Sequence, residues 1–216
     1  FCSDAGWGAV QQGSQMTVYS AHGSGSSAAA GRVSYPFGLK GPCLSVNTAC
    51  SSSLVALDAG MANLRLHRCE AALVGAVNLQ LEPGSWVGLE ALSALAPDGE
   101  CKTFDSRAAG FGRSEACGAV LLEQSEAGLV ELCDSACSQD GRSASLMAPN
   151  GPSQEAVIRA AMAQCAVVDV VEAHGTGTAL GDPIELGALH RVLGSGSSAE
   201  QPVEVGAIKS LMAHSE

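Results

Sequence analysis

The stretch Val46-Asn47-Thr48-Ala49-Cys50-Ser51-Ser52-Ser53-Leu54-Val55-Ala56-Leu57 constrains this chain more than any other. A short β-type run, Leu44-Ser45-Val46, leads into tiny residues around one cysteine. Apolar residues then recur at 54, 57, 61 and 64 with helical spacing. This predicts a strand-to-helix corner carrying Cys50. At such a corner the positive end of the helix and its unsatisfied N–H groups stabilise the thiolate, the form of cysteine that attacks electrophiles. Cysteine also serves as a small buried hydrophobe, so bases elsewhere in the chain must decide between the two roles.

Other elements follow in order. The small residues from Ser24 to Gly31 and the segment Arg32 to Leu39, broken by Pro36 and Gly38, predict a short helix entering a turn. The helix after Cys50 runs to about His67, and the continuous apolar run Ala71 to Val77 predicts a fully buried strand, hence a βαβ unit. Gly84 to Leu95 is helix-like, and Ala96 to Arg113 is loop. Ala119 to Leu122 and Leu129 to Leu132 are predicted strands, and Gln139 to Gln154 is a long loop. Ser153 is the expected cap of a helix reaching about Gln164. Val167 to Val171 is a buried strand delivering His174; Asp182-Pro183 opens a helix to Leu193; Gly194 to Pro202 is a surface loop; Val203 to Ile208 is the last strand. Cys50, His174 and the Lys209/His214 pair thus each lie just past a strand end, on one expected sheet edge where open α/β sheets bind ligands.

The charge balance, 11 basic against 22 acidic residues for a net −11, argues against a nucleic-acid partner. Arg65, His67 and Arg68 are candidates for a local basic docking patch, though they read better as the solvated end of a helix. Nine cysteines show no Cys-x-x-Cys and no regular Cys/His pairing, so neither a disulfide framework nor a metal site is expected, and a reduced interior accounts for them. No apolar run approaches the roughly 18 residues of a membrane span.

Three blocks carry a family resemblance: Thr48-Ala49-Cys50-Ser51-Ser52-Ser53; Glu172-Ala173-His174-Gly175-Thr176-Gly177-Thr178 with Gly181-Asp182-Pro183-Ile184-Glu185; and Lys209-Ser210 with His214. The segments Ala29 to Tyr35, Pro97 to Asp105 and Ala148 to Gln154 support them. Together they resemble β-ketoacyl synthases, closest to the ketosynthase domains of modular type I polyketide synthases. The resemblance implies an α/β chain with the thiolase-like layered α/β/α/β/α fold, incomplete at both ends. It makes residues 1–216 a partial ketosynthase domain, expected to be inactive as an isolated fragment.

What the resemblance implies chemically is an acyltransferase performing a decarboxylative Claisen condensation. Cys50 would take an acyl chain from a carrier thioester. His174 and His214 would donate hydrogen bonds to the enolate left when a malonyl-type extender loses carbon dioxide. Lys209 would pair with Glu185 and tune His174, and Thr176 and Thr178 would bind the phosphopantetheine arm. No intrinsic cofactor or metal is implied, because decarboxylation supplies the carbanion. The implied partners are acyl carrier protein, the acyltransferase and other synthase domains, and a second copy in a homodimer. The implied location is intracellular, cytoplasmic or plastid.

The chain departs from the family at several positions. Leu211-Met212-Ala213 replaces Asn-Ile-Gly before His214, Arg113-Ser114-Glu115-Ala116 replaces Arg-Gly-Glu-Gly, and His22 replaces a common threonine. A left-handed backbone at any position where Ser or Ala replaces Gly would be strained. Competing readings are a fatty-acid synthase counterpart, a non-catalytic ketosynthase-like scaffold, and a papain-like cysteine hydrolase. The scaffold reading is disfavoured by the retained Cys50. The hydrolase needs an Asn or Asp orienter and has no use for Lys209.

Overall fold

The small residues after Cys50 do start a helix, and that helix organises the first of two compact units. The structure is a computed structural model that describes residues 17–164, 167–194 and 202–216. The first unit takes its described residues from 17–91, 114–130 and 215–216; the second takes them from 92–113 and 131–214.

In the first unit, helix α1 (Ser20–Ser24) and a 3-10 turn (Ser26–Ala28) lead into α2 (Ala29–Phe37). Pro36 lies in the last turn of α2 and does not break it; the helix stops at left-handed Gly38, whose N–H reaches the Ser34 and Tyr35 carbonyls. Helix α3 (Ser52–Arg65) buries Met61 and Leu64 at the expected spacing. Strand β1 (Ala71–Asn78) follows, then α4 (Pro83–Ala91) and β2 (Ala116–Glu123).

Strands β1 and β2 pair antiparallel, with Leu73 opposite Leu121 and Val74 opposite Val120. Helix α3 lies on the Ala72/Val74 face. Its Gly60 permits this, because a Cβ there would come within 2.9 Å of Val74 Cγ2 and 3.1 Å of Leu122 Cδ1. The opposite face keeps Leu73 49% and Leu121 63% exposed, so β1 alternates in burial and is not the fully buried strand its composition suggests. Residues 44–46 form no strand, and the expected βαβ unit around Cys50 is therefore absent among the described residues. A cleft of about 630 Å³ is lined by α2, residues 39–44, α3 and both strands β1 and β2; none of the candidate site residues lines it.

The second unit supplies a parallel crossover instead. Strand β3 (Val170–Glu172) pairs parallel with β4 (Glu204–Gly206), and helix α6 (Gly181–Leu193) connects them. Helix α5 (Gly151–Ala161) packs on α6, with Arg191 ion-paired to Glu155, and short α7 (Lys209–Met212) follows β4. The cap of α5 is Asn150, whose Oδ1 accepts from Ser153 N at 3.4 Å; Ser153 itself sits inside the first turn. The helix ends at Ala161, short of Gln164. Strand β3 is shorter and more exposed than expected, and Leu129 to Leu132 forms no strand, having no ladder partner among the described residues. Most of the Gly194 to Pro202 loop lies outside the described residues. The sheets observed are two separate two-stranded ones, so the single sheet edge expected for Cys50 and both histidines does not form among the described residues.

Candidate active site

Cys50 is exposed, two residues before the first residue of α3. Hydroxyls fix its turn. Ser52 Oγ accepts from Thr48 N at 2.8 Å and donates to Ala49 O at 2.6 Å, while Ser51 Oγ donates to Thr48 O at 2.9 Å. Ala49 stands at φ +53°, a left-handed conformation that costs a non-glycine residue free energy and is held here by this network. The hydroxyls of Ser51 and Ser52 thus fix the backbone of the turn that carries Cys50 into α3.

The second constellation stands at the carboxyl ends of β3 and β4. His174 follows β3 by two residues and Lys209 follows β4 by three. Glu185, one turn into α6, accepts from His174 N at 2.6 Å and Gly175 N at 2.9 Å. Its carboxylate thus meets backbone donors, and among the described residues no ion pair joins it to Lys209; the expected pairing is not the observed one. Thr178 Oγ1 accepts from Gly181 N at the start of α6, and Thr176 is buried.

Asp182, which the sequence places in the second family block and at a helix start without a role of its own, is a positioning residue. Only 4% exposed, it accepts from Gly177 N and Thr178 N at 3.1 Å through Oδ1 and from Phe104 N at 2.8 Å through Oδ2. Phe104 stands at φ +58°. Thr103 Oγ1 adds a bond to Gly175 O at 2.5 Å, and Gly110 N one to Gly177 O at 3.0 Å. Asp182 after Gly-x-Gly-x was the available signal: a carboxylate at a helix start answers nearby unsatisfied N–H groups.

His214 is 3% exposed. Its backbone N–H donates to Gly112 O at 2.8 Å, and its ring meets Phe111 edge-on at 5.3 Å and His174 at 5.6 Å. Burial, then the Lys209 charge, then His174 push the His214 imidazole down to about 4. His174 is also depressed, first by burial and then by Lys209, against the opposing pull of Glu185 and Asp182. By area His174 remains exposed, while its ring meets that of His214. Both imidazoles are neutral at pH 7, and each can donate one N–H to an oxygen that gains negative charge.

Ala213, immediately before His214, has φ +60° and ψ −174°. This region is almost restricted to glycine and costs other residues on the order of 1–3 kcal/mol. Ser114 and Ala116, the other replaced glycines, do not have positive φ.

The first half of the chain, residues 4–127, matches the family "Beta-ketoacyl synthase, N-terminal domain", and residues 129–216 match "Beta-ketoacyl synthase, C-terminal domain". The chain belongs to the β-ketoacyl synthase family. Relatives include a phenolphthiocerol/phthiocerol polyketide synthase of Mycobacterium tuberculosis, 43% identical over 214 residues, which cover 94% of this chain and 11% of that protein. An erythronolide synthase of Saccharopolyspora erythraea is 49% identical over 182 residues, 79% of this chain and 5% of the relative. The chain therefore spans about a tenth or less of these relatives. Among solved structures, the ketosynthase from module 6 of the bacillaene synthase of Bacillus subtilis is similar with a TM-score of 0.83 at 35% identity, covering 93% of this chain and 39% of that one. The oxazolomycin ketosynthase domain of Streptomyces albus gives 0.84 at 32%, covering 89% and 36%. The thiolase-like α/β class expected from the sequence is thereby established for this chain.

Proposed function

We propose that this chain is part of the ketosynthase domain of a modular polyketide synthase and carries the residues of its condensing site. The observation that carries the reading is the pair of neutral imidazoles, His174 and His214, at the carboxyl ends of a parallel strand pair with Lys209 beside them. The exposed Cys50 at the N-terminus of α3 supports it from the other unit.

In this reading the Cys50 thiolate attacks an acyl thioester on a carrier protein, forming acyl-Cys50 and releasing the carrier thiol. A malonyl-type thioester on a second carrier then loses carbon dioxide, and its electron pair becomes an enolate. Hydrogen bonds from His174 and His214 stabilise the enolate oxygen. The enolate carbon attacks the acyl carbon on Cys50, the Cys50 thiolate leaves, and a lengthened β-ketoacyl chain remains on the carrier. Thr176 and Thr178 take the phosphopantetheine arm, and Lys209 and Glu185 set the charge around His174. Phosphopantetheine belongs to the carrier protein, and this domain brings no cofactor of its own.

The other synthase domains and a second copy of the chain are proposed partners. Among the described residues no helix is long and apolar enough to cross a membrane. An intracellular location belongs to the same proposal. The test is acyl transfer to the full-length protein from an acyl-cysteamine thioester, mapped by peptide mass with Cys50→Ala as control. Acyl mass on the Cys50 peptide, followed by carbon dioxide release from a malonyl thioester, supports the proposal. A folded protein that acquires no acyl group refutes it.

A further inference from the structure

The three replaced glycines of this chain do not share one fate. Ser114 and Ala116 occupy ordinary backbone conformations, whereas Ala213 is held at φ +60°, ψ −174°. Its surroundings leave little freedom. On one side, Gly112 is closed in so tightly that a Cβ there would overlap Gly99 O and lie 3.3 Å from the Ala213 methyl. Gly112 O receives the His214 backbone N–H at 2.8 Å, and Gly112 N donates to the buried Cys101 thiol at 3.3 Å. On the other side, α7 ends at Met212, and the exposed Leu211 and Met212 side chains contribute little anchoring. The strained residue therefore lies between a fixed wall and a one-turn helix, and it sets the direction in which the next residue leaves.

We propose that Ala213 is a positioning residue whose strained backbone governs how firmly His214 is seated against Gly112, Phe111 and His174. The inference rests on the reading of His214 as an enolate-stabilising group. A relaxed φ at Ala213 turns the following peptide away from Gly112 O and withdraws the imidazole from His174. Seated and withdrawn states are thus biased against each other by the methyl group alone. Glycine at 213 removes the bias against the seated state, and a β-branched residue enlarges it.

The experiment compares the full-length protein with its Ala213→Gly and Ala213→Val variants by two readouts. The first is hydrogen exchange of the peptide covering Lys209 to Glu216, which does not depend on turnover. Ala213→Gly is expected to slow exchange by about fivefold to a hundredfold, the range that relief of such strain corresponds to, and Ala213→Val to speed it. The second is carbon dioxide release from a malonyl thioester: kcat rises in Ala213→Gly and falls in Ala213→Val, with KM little changed. Unchanged exchange in Ala213→Gly overturns the inference, as does faster exchange. Slower exchange without a rise in kcat in a protein that does release carbon dioxide also overturns it. If no form releases carbon dioxide while exchange follows the expected order, the functional reading fails and the seating of His214 by Ala213 stands. Should Ala213→Val fail to fold, Ala213→Gly alone decides.

Discussion

The imidazoles of His174 and His214 meet edge to face, their centroids 5.6 Å apart and their planes at 89°. Phe111 closes on His214 at 75° and 5.3 Å. Each contact removes water from a ring that would otherwise take a proton near pH 6.5, and Lys209 adds positive charge to both sites. The depressed basicity of the pair therefore follows directly from its packing.

Stability is expected to depend on pH through these rings. The folded His214 titrates at about 4, below its ordinary value of 6.5, so between those values the unfolded chain binds the extra proton. The contribution is whole above pH 6.5 and is lost as pH falls toward 4, roughly 3 kcal/mol in all. His174 acts in the same direction. Urea midpoints at about pH 7.5, 5.5 and 4.5 measure the slope, and His214→Asn flattens it.

Removing the Glu185 charge shifts His174. That carboxylate raises the His174 value against burial and Lys209, so Glu185→Gln lowers it further. The neutral amide also keeps one acceptor at most for the His174 and Gly175 amides. We expect the acid limb attributable to His174 to move to lower pH, read from its imidazole resonances or from the pH profile of decarboxylation. Movement upward would contradict the assigned role of Glu185.

Asp182→Ala leaves three backbone N–H groups, those of Phe104, Gly177 and Thr178, without their acceptor in a buried site. Unsatisfied buried donors cost about 1–3 kcal/mol each, so a loss of about 3 kcal/mol or more is expected in denaturant unfolding. Asp182→Asn retains an oxygen for Gly177 and Thr178 but turns an amide toward Phe104 N, and falls between the two.

Gly112→Ala is expected to be the most damaging single methyl group in the second unit. The new Cβ would overlap the backbone oxygen of Gly99, a clash that no rotamer change relieves. A loss beyond about 4 kcal/mol, or failure to recover folded protein, is expected in thermal and denaturant scans. A variant of near-native stability would show that the Gly99 turn yields.

The helices beside the chemistry were legible in the sequence because their caps and apolar spacing are local. Cys50 precedes α3 as expected, and Asp182-Pro183 opens α6. Long-range facts were less legible. The run at 44–46 has strand composition, yet a strand needs a ladder partner, and among the described residues the one ladder of β1 is with β2. Glu185 was expected to meet Lys209; its partners are the amides of His174 and Gly175, and an amide donor belongs to every residue except proline. The family resemblance marks 114, 116 and 213 alike as places where strain would arise, and only backbone geometry singles out Ala213.

The bonds that knit the histidine loop to the rest of its unit join residues far apart in the chain: Phe104 to Asp182 across 78 positions and Thr103 to Gly175 across 72. Closing such long loops costs chain entropy before any contact compensates for it, whereas α3, α5 and α6 each need only neighbouring residues. The order of events in refolding follows. Helices appear first, the Phe104 and Thr103 clasps close late, and the two imidazoles meet among the last contacts to form. Pulsed hydrogen exchange should therefore find the His174 and Gly175 amides protected after those of the helices, so that a partly folded chain already rich in helix still has no assembled pair of histidines.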